Sequence, residues 1–261
     1  MSSVCGLRMV TEGKRRWGHR WSGTRAVTRA VEPTIDLRDD FIARVVAGNS
    51  FAEVGGLWGV VNEKVSTAAR SRAGALAMID LALPMDELWQ HFRNRMTLLG
   101  VTCECISSDI CAFAAGAPGR KFDVVHCSGV LYHHPSPLSL LEALRTITGR
   151  YLVLTSAVTP EIIENNLGTL QVGPSGIIFV PTLDQLGRKI LAEHWLNMAR
   201  IDLSDSISEA ERWHSTDFAR WWCLPTPRAM LAMARCAGFR VMDFGPMWHE
   251  NALSTLLEVA Y

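Results

Sequence analysis

A glycine-rich turn stands between a short apolar segment and a run of residues with helical spacing. Its glycines are Gly55, Gly56 and Gly59; the apolar segment covers 51–54 and the helical run extends from 60 to about 73. Glycine lets the backbone approach a ligand without a Cβ in the way, and the free N–H groups at a helix start face that ligand. The pattern therefore predicts a cradle for a nucleotide cofactor.

Three carboxylates occur near the ends of predicted strands. They are Glu53 in the first strand, Asp80 at the end of the second and Asp109 just after the third. Asp80 comes 21 residues after Gly59, and a carboxylate about 20 residues beyond such a turn binds ribose hydroxyls in dinucleotide folds. Each residue alone is also explained as a helix-dipole partner or a turn former. The order and spacing of all three favour the cofactor hypothesis.

Two histidines, His133 and His134, follow the fourth predicted strand. Imidazole titrates near neutral pH and suits the role of a general base for a hydroxyl nucleophile. We therefore treat both as candidate catalytic residues and favour His133. A second interpretation, in which these histidines orient a loop, stays open.

Strands and helices alternate along most of the chain. Strands are predicted over 51–54, 75–80, 101–106, 122–127, 151–155, 240–244 and 254–260. Helices are predicted over 33–50, 60–73, 86–99, 138–147 and 226–237. This order implies an α/β fold with a doubly wound, Rossmann-like and mostly parallel sheet, whose ligands lie beyond the carboxyl ends of the strands. The last two strands are compatible with an antiparallel hairpin at the sheet edge.

The alternation of strands and helices, and the places where it stops, divide the chain into four parts. We expect a basic, flexible arm over 1–32 and a cofactor-binding half over 33–156. Residues 157–220 break the rhythm and are interpreted as an insertion that caps the substrate site. Residues 221–261 then supply a helix and the strand hairpin that completes the sheet.

The charge of the chain is balanced overall and uneven locally. The net charge is zero, but seven basic residues and one acidic residue give the first 30 positions +6 and the remainder −6. A neutral body disfavours nucleic acid as a partner, although Trp17 and Trp21 between arginines would allow stacking on RNA. No apolar run reaches the length of a membrane span, so no membrane partner is expected.

The seven cysteines include no C-x-x-C pair, and their odd number favours reduced thiols in a cytoplasmic protein. Cys103 and Cys105 alternate on a predicted strand, where core filling is favoured over zinc binding. Glu161 and Glu164 follow the fifth strand and are weak candidates for holding Mg²⁺, because hard oxygen ligands suit that ion. A solvated face explains these two glutamates better.

From about Asn49 to Ala260 the sequence resembles the class I S-adenosylmethionine-dependent methyltransferases. The family's glycine motif is acidic-x-Gly-x-Gly-x-Gly, and Glu53, Gly55 and Gly59 match it. Leu57 stands where the middle glycine is usual, with Gly56 displaced by one position. The family adds an antiparallel seventh strand to the dinucleotide-binding layout, which agrees with the predicted hairpin.

The resemblance implies a role for each candidate residue. Glu53 would support the amino-acid end of the cofactor, directly or through water. Asp80 would accept hydrogen bonds from the ribose hydroxyls and Asp109 one from the adenine amino group, with Ile110 packed near the base. The segment Ser128-Gly129 would pass beside the methionine part. His133 falls in the position of a Leu-x-His pattern that lines the transfer site.

The expected activity is methyl transfer from S-adenosylmethionine, with O-methylation of a small hydroxylated molecule such as a sugar as the favoured reaction. A short likeness to enzymes that modify wobble uridine in tRNA involves Trp221-Trp222-x-x-Pro225-Thr226 and keeps RNA methylation as an alternative. A non-catalytic cofactor-binding subunit is a third possibility. A nicotinamide oxidoreductase is disfavoured because its third-position glycine is missing. The acceptor, a magnesium requirement and assembly into homo-oligomers are left open.

Overall fold

The computed structural model describes residues 36–57, 63–207, 212–216 and 218–260. The predicted basic arm over 1–32, the candidate Gly59 and the predicted helix start at Val60 lie outside this part of the chain.

The strands of the described chain form one large sheet and two small pairs. In chain order they are β1 Ser50–Val54, β2 Ala75–Asp80, β3 Glu104–Ser107, β4 Phe122–Ser128, β5 Thr148–Ala157, β6 Ile162–Asn165, β7 Gly168–Gln171, β8 Ile177–Phe179, β9 Cys223–Pro225, β10 Phe239–Met247 and β11 Ala252–Val259. The large sheet has seven strands in the order β10-β11-β5-β4-β1-β2-β3. Strands β1 to β5 are parallel, and β11 runs antiparallel to both β5 and β10. The expected seven-stranded α/β sheet is confirmed.

Helices cover both faces of this sheet. They are α1 Leu37–Val45, α2 Val65–Arg70, α3 Glu87–Leu99, α4 Ile110–Gly116, α5 Pro137–Ile147, α6 Gln185–Ala199 and α7 Pro227–Cys236. One face packs against α1, α2 and α3 through a core that includes Phe41, Trp89 and Phe92. The opposite face packs against α4, α5 and α7 through a core that includes Leu140, Leu144 and Met230. The sheet is therefore doubly wound, as predicted.

Short polar side chains set several helix starts. Asp86 accepts a hydrogen bond from the backbone N–H of Leu88 at the start of α3, and Asp109 accepts one from Ala112 at the start of α4. Such caps satisfy N–H groups that have no partner inside the helix. Gly100 ends α3 with a φ of +67°, a conformation that glycine adopts without a Cβ penalty. The sequence places both capping aspartates directly after a strand and its turn, which fixes them at the carboxyl edge of the sheet.

The segment 157–220 carries its own apolar core. This core includes Ile163, Ile190, Leu191 and Trp195, and it extends to Tyr132 in the loop after β4. The backbone N–H of Trp222 donates to the Tyr132 carbonyl at 2.7 Å. The inserted segment therefore packs on the loop that follows β4.

The bounds of several predicted elements differ from the structure. The first helix covers Leu37–Val45 instead of 33–50, because a turn with positive φ at Gly48 follows its end and β1 begins at Ser50. The second helix begins at Val65, where Glu53 Oε2 accepts the backbone N–H groups of Lys64 and Val65 and Glu63 Oε2 accepts that of Ser66. The third strand covers Glu104–Ser107 instead of 101–106, because the left-handed turn at Gly100 delays sheet pairing until Glu104 meets Ala77. Within the described residues, no helix combines the length and the apolar character that a bilayer crossing requires.

Candidate functional site

The backbone turns sharply where β1 ends. Gly55 has a φ of +77°, and a Cβ at this position would overlap Cγ2 of Val130. A Cβ at Gly56 would stand 2.5 Å from Cδ of Glu53. The Leu57 side chain is fully buried in the core beneath α2 and α3. The turn therefore requires glycine at 55 and 56, and Leu57, which replaces the family's middle glycine, anchors it.

We expect Gly55→Ala to lower the free energy of unfolding by about 2–3 kcal/mol, because it adds a steric overlap to the cost of a positive φ. Gly119→Ala is the matched control: its φ is +83° and no atom lies within 4 Å of the added Cβ. This control should lose only about 1 kcal/mol. Urea unfolding of both variants measures the difference. Equal losses would show that Val130 does not crowd the turn.

Glu53 is buried and holds the start of α2. Its Oε2 accepts hydrogen bonds from the backbone N–H groups of Lys64 at 2.7 Å and Val65 at 3.1 Å. Its Oε1 lies 3.2 Å from Nδ1 of His126, a buried histidine that the sequence analysis did not select. Glu53 thus fulfils the helix-capping alternative, and its role at the amino-acid end of a cofactor stays a proposal.

Asp80 ends β2 with both carboxylate oxygens directed at the backbone. Oδ2 accepts from the N–H of Leu57 at 3.1 Å and Oδ1 from the N–H of Ala82 at 3.0 Å. Burial raises the pKa of this carboxyl, and the two backbone hydrogen bonds oppose that effect. A carboxylate has about four lone-pair sites, so each oxygen keeps capacity for a further donor. Asp80 therefore ties the glycine turn to β2 and remains able to accept from a ligand.

Asp109 and Ile110 lie beyond β3, at the start of α4. Asp109 Oδ1 accepts the backbone N–H of Ala112 at 2.9 Å. Ile110 is buried in the core between the sheet and α4. The structure brings Glu53, Asp80 and Asp109 to the carboxyl edge of the three neighbouring strands β1, β2 and β3, which is the arrangement that the sequence predicted.

Ser128 and Gly129 end β4 beside an arginine that the sequence analysis missed. The Arg38 guanidinium donates to Ser128 Oγ at 3.3 Å and pairs with both carboxylate oxygens of Asp36. Gly129 has a φ of +76°. The Asp-x-Arg pattern at the start of α1 was the available signal. It places a cation next to the segment assigned to the methionine part of the cofactor.

Buried Lys64 pairs with the same aspartate as Arg38. Lys64 Nζ lies 2.8 Å from Asp36 Oδ2 and 2.7 Å from Asp39 Oδ1. Burial by itself raises the pKa of Asp36, but hydrogen bonds from Arg38 and Lys64 outweigh it and hold that pKa well below its usual range. The two ion pairs connect the start of α1 to the start of α2.

His133 lies in a 3₁₀ turn just after β4. Its Nδ1 is 3.0 Å from the carbonyl oxygen of Arg220, and a carbonyl only accepts hydrogen bonds. In the neutral ring Nδ1 therefore carries the hydrogen, and Nε2 is the nitrogen that can take up a proton. The ring packs against Tyr132 and Trp221, with centroids 4.2 Å and 5.9 Å away.

His134 is buried. Its Nδ1 lies 3.0 Å from the backbone nitrogen of Ser136, and its Nε2 lies 3.8 Å from Sγ of Cys111. Burial lowers the pKa of His134. Both ring nitrogens contact the protein, so the geometry favours the loop-orienting interpretation for His134. The base interpretation for His133 stays a prediction.

The described residues contain no group of three or more His, Cys, Asp or Glu side chains that could hold a metal ion. Glu161 and Glu164 are exposed. Cys103 and Cys105 pack against the core on the α3 side of the sheet. The solvated-face interpretation of the glutamates and the core interpretation of the cysteines agree with these positions.

A family model described as a methyltransferase domain matches residues 77–243, more than half of the chain. The chain belongs to the methyltransferase family. The matched residues of this methyltransferase begin in β2, so its glycine turn precedes them.

The ubiquinone biosynthesis O-methyltransferase of Azotobacter vinelandii is 30% identical over 132 residues, covering 49% of this chain and 53% of that protein. The chain thus spans about half the length of the curated relative it matches.

Solved methyltransferases have the same fold. The magnesium protoporphyrin IX methyltransferase from Synechocystis PCC 6803 with bound S-adenosylmethionine has a TM-score of 0.50 at 12% identity, covering 86% of this chain and 78% of that one. The N-terminal domain of EvdMO1, solved in the presence of S-adenosylhomocysteine and D-fucose, has a TM-score of 0.51 at 15% identity, covering 85% and 81%. The class I methyltransferase fold predicted from the sequence is confirmed.

Proposed function

We propose that this methyltransferase uses S-adenosylmethionine to methylate a hydroxyl group of a small molecule, with His133 as the general base. The observation that carries the proposal is the convergence of Glu53, Asp80, Asp109 and His133 at one edge of the sheet, around the turn at Gly55. The O-methyltransferase relative supports the choice of oxygen as the acceptor atom.

The residues at this edge fit the cofactor. Asp80 retains acceptor capacity for ribose hydroxyls, and Asp109, which uses Oδ1 for its helix cap, offers Oδ2 to an adenine amino group. The Arg38 guanidinium uses Nε and Nη2 on Asp36, so Nη1 beside Ser128 is the nitrogen placed to donate to the cofactor's carboxylate. A close backbone approach is available at Gly55, Gly56 and Gly129.

The transfer itself needs alignment and removal of one proton. The bound cofactor supplies an electrophilic methyl group on a sulfonium. The bond from the acceptor oxygen to the methyl carbon would form as the methyl–sulfur bond breaks, with S-adenosylhomocysteine as the leaving group. His133 Nε2 would take the proton of the hydroxyl, and the Arg220 carbonyl would hold the resulting imidazolium through Nδ1–H. Tyr132 and Trp221 pack the ring in place.

The function is tested by incubating the full chain with S-adenosylmethionine and a panel of phenols, alcohols and sugars. Formation of S-adenosylhomocysteine that depends on the acceptor, with a product heavier by one methyl group, is the expected result. Turnover with amines but with no hydroxylated acceptor would contradict the assignment to oxygen.

His133→Gln should reduce turnover by a factor of about 10²–10⁴, the usual contribution of a general base, and leave the affinity for S-adenosylmethionine within a factor of about two. His91→Gln is the matched control, because His91 is exposed on α3. Single-turnover rates and calorimetric affinities measure the two effects. Unchanged turnover in the His133 variant would assign the proton transfer to another group.

A further inference from the structure

A cavity of about 370 Å³ opens between α6 and the turn that joins β10 to β11. This volume is in the range of small-molecule sites. Its polar lining comes from Thr159, His194, His249, Glu250 and Asn251, and the rest of the wall is apolar. None of the described residues of the sequence-predicted cofactor site lines it.

The cavity lies on the same edge of the sheet as the glycine turn. It follows the end of β5 at Val158 and Thr159 and adjoins the start of β11 at Ala252, and β11 runs antiparallel. Neighbouring strands are about 4.8 Å apart. Two strand steps, from β1 across β4 to β5, therefore place the cavity about 10 Å from the glycine turn along the sheet.

A row of aromatic rings connects the cavity to the proposed base. The His194 ring centroid is 6.2 Å from that of Trp195, and Trp195 is 4.7 Å from Trp221. Trp221 is in turn 5.9 Å from His133. The two tryptophans form a wall that separates His194 from His133 by the width of two rings.

Asn251 fixes one tautomer of His194. The Asn251 side chain is buried, and its Nδ2 donates to the carbonyls of Trp248 at 3.2 Å and His249 at 3.0 Å. Its Oδ1 therefore faces His194 Nε2, 3.0 Å away, and accepts a hydrogen from it. Burial lowers the pKa of His194, so the ring is neutral at neutral pH and its Nδ1 is an acceptor. Among the described residues no group hydrogen-bonds this Nδ1.

Three residues at the mouth of the cavity have an unfavourable backbone conformation. Trp248, His249 and Glu250 have φ values of +50°, +53° and +69°, in the left-handed region that side chains other than glycine rarely adopt. The Asn251 amide holds two of their carbonyls. Such strain persists where the surroundings enforce it, and it concentrates at binding sites.

We propose that this cavity is a binding site separate from the methyl-transfer site, and that it takes an apolar, ring-sized molecule with one hydroxyl or N–H group that donates to His194 Nδ1. The apolar wall disfavours a sugar, whose several hydroxyls would each need a partner. The ligand chemistry rests on the cavity and does not depend on the proposed function.

The binding test uses the full chain without cofactor. The probe is 2-naphthol, and 2-methoxynaphthalene is the matched compound without a donor. Saturable binding of 2-naphthol, at least about ten-fold tighter than that of 2-methoxynaphthalene, is the expected result, because a buried acceptor without its donor loses a hydrogen bond. Equal affinities, no saturable binding of either probe, or preferred binding of glucose would overturn the proposal.

Variants locate the bound probe. His194→Phe removes Nδ1 and also the Nε2–H bond to Asn251. It should therefore weaken 2-naphthol at least about ten-fold more than 2-methoxynaphthalene, whose affinity measures any change in cavity shape. Met198→Trp, at an exposed position that lines the cavity, should weaken both probes by filling the space. His91→Phe, exposed on α3, should change neither. If neither His194→Phe nor Met198→Trp weakens 2-naphthol, the probe binds elsewhere and the proposal fails.

A separate titration with S-adenosylmethionine keeps the two proposals distinguishable. Cofactor binding without probe binding contradicts the cavity inference alone. Probe binding by the folded chain without cofactor binding contradicts the proposed function alone.

Discussion

Replacing Asp80 by alanine is expected to weaken S-adenosylmethionine and S-adenosylhomocysteine binding by at least about 100-fold. The carboxylate is the proposed acceptor for two ribose hydroxyls, and each hydrogen bond to a charged group contributes about 1.5–3 kcal/mol. Its loss also frees the backbone N–H of Leu57, which holds the glycine turn in register with β2. Calorimetric titration of both ligands measures the change.

Neighbouring carboxylates supply the controls for Asp80. Asp86→Ala removes a carboxylate that caps α3 and accepts from Leu88, and it should leave both affinities within a factor of about three.

Asp109→Ala should weaken binding by about ten-fold, because one hydrogen bond to adenine is lost. If Asp80→Ala bound S-adenosylmethionine as tightly as the unchanged protein, the cofactor would not bind at this edge of the sheet.

The pH dependence of binding follows from the burial of Asp80. Burial raises the pKa of this carboxyl, and the charges of Glu53 and Asp86 add to the shift. The folded protein therefore takes up this proton at a higher pH than the unfolded chain does, so protonation favours the fold as the pH falls through the raised value. Ligand affinity changes in the opposite direction, because the protonated carboxyl loses an acceptor. Cofactor affinity should thus decline as the pH falls, and the decline should begin at a higher pH than for an ordinary aspartate.

Glu53→Ala should be among the most destabilising single substitutions in this chain, lowering the free energy of unfolding by about 3–5 kcal/mol. The change leaves the N–H groups of Lys64 and Val65 without their acceptor and strips buried His126 of its Nδ1 partner. Among the described residues no group hydrogen-bonds Nε2 of His126, so the ring would lose its one recorded partner. Urea unfolding monitored by circular dichroism gives the value.

Glu53→Gln tests whether the loss comes from hydrogen bonding. The amide oxygen can still accept the two N–H groups at the start of α2, so less than half of the alanine effect is expected. Asp243→Ala, which removes an exposed partner of Arg44, should change stability little, as exposed ion pairs generally do. A Glu53→Ala loss no larger than that of Asp243→Ala would contradict the capping role.

Elements with a regular pattern of apolar residues were predicted well from the sequence. The second strand has the predicted bounds, because an apolar run ended by Asp80 has one way to pair in a parallel sheet. The carboxyl-edge positions of Glu53 and Asp109 followed from the same alternation. The displaced glycine also has a physical explanation, since Gly56 faces Glu53 too closely for a Cβ and Leu57 fills the core.

Features that depend on long-range contacts were not predictable. Arg38 meets Ser128 across 90 residues of sequence, and the start of α2 is set by Glu53 on another element. The turn at His249 and Glu250 adopts positive φ with residue types that give no local signal for it. The cavity beside His194 arises from that turn, so it too was absent from the sequence analysis.

The position of β11 has a consequence for biosynthesis. This strand lies between β5 and β10, yet its residues follow those of both neighbours along the chain. While a ribosome makes residues 158–251, β5 keeps one unpaired edge and β10 has no partner in the sheet. Unpaired edges of this kind recruit other strands. The nascent chain therefore passes through an aggregation-prone interval that ends when β11 emerges, which makes chaperone binding during translation most valuable for this part of the chain.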